Sequence, residues 1–236
     1  MHPFSVSSTR HDGTFTCHIK NMGAGTWTAG LGDAASRLKG EPIAVEGPFG
    51  RLNPPLGAYS NTICIAGGIG VTPLLHMAQR ALEEPEILKG GKLTLIWSFP
   101  RGGLLEPFTD NLYDLYQRIA ERGEDSPVQI RMFETRKKPG VEISKADEHP
   151  LLHHKQRSEV TVAADGSELN QPVDVEIAKV IPATEPGRPD TKGIILDSGK
   201  SEDTVVYTCG PPVMVKDVMT ICHAHDIMCH EETFEF

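Results

Sequence analysis

The chain has 236 residues, of which 39% are hydrophobic and 23% charged, so it can build a real core and has an ordinary soluble composition. A formal net charge of −9 argues against nucleic acid as a general partner, because phosphate binding rests on clustered Lys and Arg. Cys17, Cys64, Cys209, Cys222 and Cys229 are odd in number and lack a C-x-x-C pair, so they read as thiols in a reducing compartment. No apolar stretch approaches the roughly 18 residues that cross a bilayer, and the sequence does not open on a basic segment with an apolar signal core.

Residues 1–56 are turn-rich, with five glycines from Gly23 to Gly40, and read as all-β but too short to close a barrel. Three short motifs stand in this part: His2-Pro3-Phe4-Ser5-Val6-Ser7-Ser8, Gly25-Thr26-Trp27-Thr28 and Glu46-Gly47-Pro48-Phe49-Gly50. From Gly57 onward, short β-rich runs alternate with helical periods, which predicts βαβ units and a parallel sheet. A strand over Thr62–Ala66 leads into Gly67-Gly68-Ile69-Gly70-Val71-Thr72-Pro73 and then a helix through Leu82. Glycines let a backbone approach phosphate, and a helix start presents N–H groups and a positive dipole end. Thr72 is the expected N-cap and Pro73 the expected first helical residue. Pro73 also takes the place of the third glycine of a G-x-G-x-x-G fingerprint.

Further strands are expected at Lys92–Ser98, Val128–Glu134, Thr204–Thr208 and Glu232–Phe236. Helices are expected at about Glu106–Glu121, with Phe108, Leu112, Leu115 and Ile119 on one face, and at Val213–His223. Thr135–Pro186 reads as an insertion in which only Val173–Ile181 looks strand-like, with His153 and His154 as surface residues. Cys222, His223, His225, Cys229 and His230 lack the paired spacing of a zinc site, so no metal is expected. An NAD-type unit ends its second strand on Asp or Glu. Here that strand ends Trp97-Ser98-Phe99-Pro100-Arg101, a hydroxyl and a cation that suit the 2′-phosphate of NADPH.

Taken in order, these motifs resemble the ferredoxin–NADP reductase superfamily, in particular its branch of ferric-chelate reductases and NADPH oxidases. The resemblance covers nearly the whole chain apart from the insertion. It implies an α/β NADPH-binding domain at 57–236, preceded at 1–56 by a partial antiparallel β-barrel for FAD. His2, Pro3, Phe4 and Ser5 would lie beside the flavin, with Phe4 against the ring and the Ser5 hydroxyl near N5. Gly25 and Thr28 would hold the FAD pyrophosphate at a helix start, and Pro48 would mark the turn between domains. Gly67, Gly68, Gly70, Thr72 and Pro73 would take the NADPH pyrophosphate, Ser98 and Arg101 its outer end, and Arg188, in Gly187-Arg188-Pro189 before a helix, would also bind the cofactor. Cys209, Gly210 and Pro211 would adjoin the nicotinamide. Phe236, or Phe234 in another register, would cover the flavin. Ser5, Cys209 and Phe236 are the implied catalytic residues.

The implied activity passes hydride from NADPH to FAD and then single electrons to a ferric or cupric chelate, by way of haem in a membrane region. Electron delivery to oxygen, or a non-catalytic NADPH-binding module, are the alternatives. Because His2 already lies in the flavin motif, the preceding barrel strands are expected elsewhere: in a longer protein, in a partner, or lost by shortening of the gene product. The chain would then sit at the cytosolic face of a membrane protein and bind FAD weakly by itself.

Overall fold

The computed structural model describes residues 3–9, 15–35, 37–39, 44–47, 49–50, 52–100, 105–135, 161–162, 168–169 and 184–232. His2, Pro48, Arg101, Phe234, Phe236, His153, His154 and Val173–Ile181 lie outside them.

The amino-terminal segment contains one antiparallel ladder, β1 (Ser8–Thr9) with β2 (Phe15–Thr16), and a helix, α1 (Trp27–Ala34). Its expected all-β character therefore fails at α1, and no barrel forms among the described residues. The Gly23–Gly25 turn is the local reason. Both glycines adopt positive φ, which leaves Thr26 extended and free to accept a hydrogen bond from Ala29 N at 3.2 Å, the signature of an N-cap.

The rest is a six-stranded parallel sheet with helices on both faces. Its strands are β3 (Asn61–Gly67), β4 (Lys92–Pro100), β5 (Val128–Thr135), β8 (Glu185–Pro186), β9 (Thr204–Cys209) and β10 (Met228–Glu231). They lie in the order β10-β9-β3-β4-β5-β8. A two-residue ladder, β6 (Thr161–Val162) with β7 (Glu168–Leu169), falls between β5 and β8 in the sequence. Helices α2 (Val71–Glu83) and α3 (Thr109–Arg122) cover one face; α4 (Thr191–Asp197) and α5 (Pro212–Ala224) cover the other.

Period-two alternation divides the core. Cys64 and Ala66 of β3, with Leu93, Leu95, Trp97 and Phe99 of β4, face α2 and α3. Ile63, Ile65 and Ile96 face α4 and α5. The α3 stripe packs as expected, with Phe108, Leu112 and Leu115 buried, and Gly123 closes that helix at φ 57°.

One expected boundary is corrected. A short 3-10 turn, Gly68–Gly70, runs straight into α2, so Gly70 is the N-cap and Pro73 is the third helical residue. Proline is tolerated there because first-turn N–H groups have no partner within the helix. A strand also lies at Met228–Glu231, where none is expected; of the expected strand Glu232–Phe236, only Glu232 lies among the described residues. β10 is an edge strand of mixed exposure, so it carries no apolar run, and beyond it Glu232 N donates to Thr208 O of β9 at 2.9 Å.

His18 ties the amino-terminal segment to the sheet domain. Its ring stacks on Phe108 at 3.9 Å between centroids and 20° between planes. Nε2 lies 2.7 Å from Pro107 O, which can only accept, so the Nε2–H tautomer holds this bond. Nδ1 lies 2.7 Å from Ser7 Oγ, whose one proton is shared between this nitrogen and Thr16 O, 2.9 Å away. Burial lowers the His18 pKa against the opposing pull of the Pro107 carbonyl; burial and then Arg80 lower that of His76, with Glu83 opposing. Both rings thus protonate less readily folded than unfolded, so the unfolded chain binds more protons below about pH 6.5. Stability is expected to be full above that value and to decline as pH falls through the folded pKa values. Urea midpoints at several pH values check this. His18→Phe, which keeps the ring stack, should flatten the slope; an unchanged slope refutes the role given to His18.

Candidate dinucleotide-binding site

Parallel strands put all their carboxyl ends on one edge of the sheet. That edge gathers Gly67 from β3, Ser98 from β4, Gly187 and Arg188 beyond β8, and Cys209, Gly210 and Pro211 from β9. The strand order reverses between β3 and β9: the chain runs from β3 outward through β4 and β5, then crosses to β9 and β10. Open α/β sheets bind ligands in the crevice at such a switch point.

Glycines build the crevice by letting two strand ends touch. A Cβ on Gly70 would strike the Cys209 carbonyl oxygen and lie 2.6 Å from its carbon and 2.9 Å from Gly210 N. One on Gly67 would lie 2.5 Å from Pro211 Cδ, and one on Gly210 would lie 2.9 Å from Gly67 Cα. Gly68 does something different. It adopts φ 57°, and the space where its Cβ would stand is empty, so the turn offers a concave, open backbone surface. Trp97 Nε1 donates to Gly68 O at 2.9 Å and fixes the turn from below. Ahead of this surface stands the amino end of α2, a helix of 13 residues. An open cradle before a helix start fits a dinucleotide pyrophosphate.

Thr72 is corrected in role. It lies inside α2, 2% exposed, with its hydroxyl donating to Ile69 O at 3.2 Å, so it braces the turn and does not cap the helix. Ser98 ends level with Gly67 in register, its hydroxyl donating to Ala66 O at 3.3 Å. Arg188 is exposed and follows Gly187, whose amide donates to Glu134 O at 2.9 Å. Arg131 holds β8 against β5 by a fork of two bonds to Glu185, at 2.8 and 2.7 Å. The Cys209 thiol is fully buried beneath the crevice; burial, with Glu232 and then Glu231 adding to it, pushes its pKa up to about 12.

In the amino-terminal segment, Phe4 stacks on Trp27 with centroids 5.7 Å apart, which brings the first two motifs together. Pro3 is exposed and Ser5 half-buried. Gly25 at φ 82° leaves open space beside the start of α1. Thr28 is not the cap, a role that Thr26 takes; its Oγ1 accepts from Met22 N at 3.0 Å. His18 and Trp97 were invisible as structural supports, because each acts on a neighbour far along the chain. The glycine turn before α2 was the one local signal of what Trp97 supports.

A parallel sheet with this crevice has the form of a dinucleotide-binding module. The family described as Ferric reductase NAD binding domain matches residues 59–223, and the chain belongs to that family. Over 239 residues the chain is 28% identical to NADPH oxidase 3 of Homo sapiens, covering 95% of this chain and 38% of that protein. Ferric reduction oxidase 7, chloroplastic, of Arabidopsis thaliana is 34% identical over 115 residues, covering 41% of this chain and 15% of that protein. Among solved structures, cytochrome P450 reductase GcoB of Amycolatopsis shares the fold at a TM-score of 0.55 and 20% identity, covering 99% of this chain and 56% of that one. The flavohem-like FAD/NAD binding domain of nitric oxide dioxygenase from Vibrio cholerae gives a TM-score of 0.53 at 16% identity, covering 98% of this chain and 76% of that one. The chain thus spans well under half the length of the oxidases it matches. Among the described residues, no helix is long and apolar enough to cross a membrane.

Proposed function

We propose that the chain is the electron-entry module of an NADPH-dependent ferric- or cupric-chelate reductase. The observation that carries the reading is the meeting of the Gly67–Gly70 turn with Cys209–Gly210 at the switch point of the sheet. When bound, the dinucleotide and the flavin supply the hydride and electron chemistry themselves. The protein's residues supply place and dryness. Amides of the glycine turn and the α2 start hold the pyrophosphate, Ser98, with Arg101 and Arg188, receives the 2′-phosphate, and Gly210 and Pro211 shape the nicotinamide end. Phe4, Ser5 and Phe236 take the flavin side, together with His2, Pro3, Gly25, Thr28 and Pro48. Residues 1–56 form the flavin domain and 57–236 the NADPH domain. Single electrons leave toward a haem-bearing membrane region, with this chain at its cytosolic face.

Ser98→Asp is expected to lower kcat/KM for NADPH about tenfold, ~1.4 kcal/mol, by setting a carboxylate against the 2′-phosphate. The value for NADH should hold or rise. Equal losses with both dinucleotides would refute the role of Ser98.

Cys209 acts as a positioning residue, its thiol remaining protonated across the working range. Cys209→Ala should slow flavin reduction about tenfold, ~1.4 kcal/mol, without adding or removing a step in the pH–rate profile. A step that vanishes in the variant would mean that the thiol ionises during turnover.

Ferric-chelate reduction is favoured by the 34% identity to Ferric reduction oxidase 7. Delivery to oxygen is favoured by the match to NADPH oxidase 3 across 95% of the chain. Purified chain supplied with FAD and NADPH separates them: chelate reduction resistant to superoxide dismutase supports the first reading, and superoxide as the main product supports the second. NADPH binding without turnover of either acceptor supports the non-catalytic module. Titration with FAD is expected to give weak binding; tight stoichiometric binding would show that these residues hold the flavin without further strands.

A further inference from the structure

Two cysteines that take no part in the nucleotide crevice touch one another. Cys222 lies in the last full turn of α5 and is completely buried. Cys229 is the second residue of β10, half-buried, and packs on the same cluster of Ile63, Ile65, Val206 and Val218. The amides of His225 and Ile227 both donate to the Cys222 carbonyl, at 3.2 and 2.9 Å. These bonds end the helix in a tight reversal and send β10 back along it, which brings the two side chains into hydrogen-bonding contact. Both are free thiols.

The pair is not sealed off. Cys229 lines a cavity of about 370 Å³ with Tyr59, Glu202, His223 and Asp226. These residues sit at the amino-terminal side of β3, β9 and β10, away from the edge that gathers the glycine turn. A small polar oxidant entering there meets Cys229, the partner of Cys222.

We propose that Cys222 and Cys229 form an oxidisable thiol pair that closes to an intrachain disulfide on reaction with a peroxide. The Cys229 sulfur attacks one peroxide oxygen. An S–O bond forms, the O–O bond breaks, and the departing oxygen, which keeps its own hydrogen, takes the thiol proton and leaves as water, giving a sulfenic acid. The Cys222 sulfur then attacks the Cys229 sulfur. The S–S bond forms, the S–O bond breaks, and hydroxide leaves, taking the Cys222 proton as a second water. With hydrogen peroxide the pair gives up two electrons in all, and the oxidant becomes two waters. The product staples the end of α5 to β10. The start of α5 and the end of β10 flank the crevice, so the staple joins two elements that border the nicotinamide end.

The test uses the whole reduced chain treated with hydrogen peroxide, then unfolded and alkylated. The free-thiol content is expected to fall by two. The peptide after Lys216, which carries both cysteines, should lose two hydrogens and resist alkylation until reduced. Alkylation of both Cys222 and Cys229 after treatment, or a disulfide that uses Cys17, Cys64 or Cys209, would overturn the proposal. In Cys222→Ser, a dimedone adduct is expected on Cys229, because the sulfenic acid has lost its partner; an adduct on other cysteines alone counts against it. The thiol measurement on the unmutated chain stands whether or not the variant folds.

Discussion

Gly70→Ala is expected to lower NADPH affinity about a hundredfold, ~2.7 kcal/mol, and to destabilise the fold by about 1–3 kcal/mol. The added methyl has nowhere to go. It meets the carbonyl of Cys209 and the amide of Gly210, and these are backbone atoms that no rotamer change can remove. Either the 3-10 turn lifts away from β9 or the end of β9 shifts under it. Both movements pull the amide groups of the turn out of the arc that a pyrophosphate requires. Gly68→Ala is the contrasting change, since its methyl would stand in the open cradle and weaken binding without a clash in the fold. Its Cβ meets no atom, so the fold should lose only the roughly 1–2 kcal/mol of placing an L-residue in the left-handed region. Dinucleotide binding measured by quenching of intrinsic fluorescence, beside urea midpoints, distinguishes the two. If Gly70→Ala binds NADPH as the parent does, the crevice is not the binding site.

Trp97→Ala is expected to cost about 3–5 kcal/mol of stability, the range for deleting a large buried aromatic side chain. Trp97 is fully buried, 4.6 Å from the ring of Phe99 and 5.3 Å from that of Phe108. Phe108 in turn carries the His18 ring, so the loss should also loosen the amino-terminal segment. Trp97→Phe separates packing from hydrogen bonding. It keeps an aromatic ring but leaves Gly68 O without the indole donor, a loss of about 1–3 kcal/mol for an unpaired buried group. The Phe variant should therefore bind NADPH more weakly than its modest fall in Tm suggests. Melting curves and NADPH titrations check this; a parallel loss of both quantities would reduce Trp97 to a core residue.

The sheet domain was legible in the sequence because β3, β4, β5 and β9 are short β-branched and aliphatic runs between helical periods. Their boundaries moved by only a residue or two: β4 runs on to Pro100 and β9 to Cys209. Strand β10 was not legible because Met228-Cys229-His230-Glu231 is an edge sequence without a continuous apolar face. The glycine turn was legible as a candidate phosphate cradle, since Gly67, Gly68 and Gly70 precede a helical period directly. What the local sequence hides is why each glycine is there. Gly67 and Gly70 answer to atoms of Cys209 and Pro211, more than a hundred residues on, and only the pairing of β3 with β9 reveals that demand. Thr72 misled for a similar reason: Gly68 in the left-handed region lets the helix begin early, and this placed the threonine one turn-position too deep to cap. His18 had no legible signal, because its partners are a ring and a carbonyl at positions 108 and 107.

The pairing of Phe133 with Glu185 and of Glu134 with Pro186 has a bearing on how this sheet can change over generations. The backbone departs after Thr135 and rejoins beside its own point of departure, clasped by the guanidinium of Arg131. Residues 136–184 are thus a closed excursion whose two ends are neighbours, and the entropy of closing such an excursion grows only logarithmically with its length. Lineages can lengthen, shorten or exchange this stretch while the scaffold beneath it goes on folding as before, so novelty in this protein's regulation has a natural place to arise.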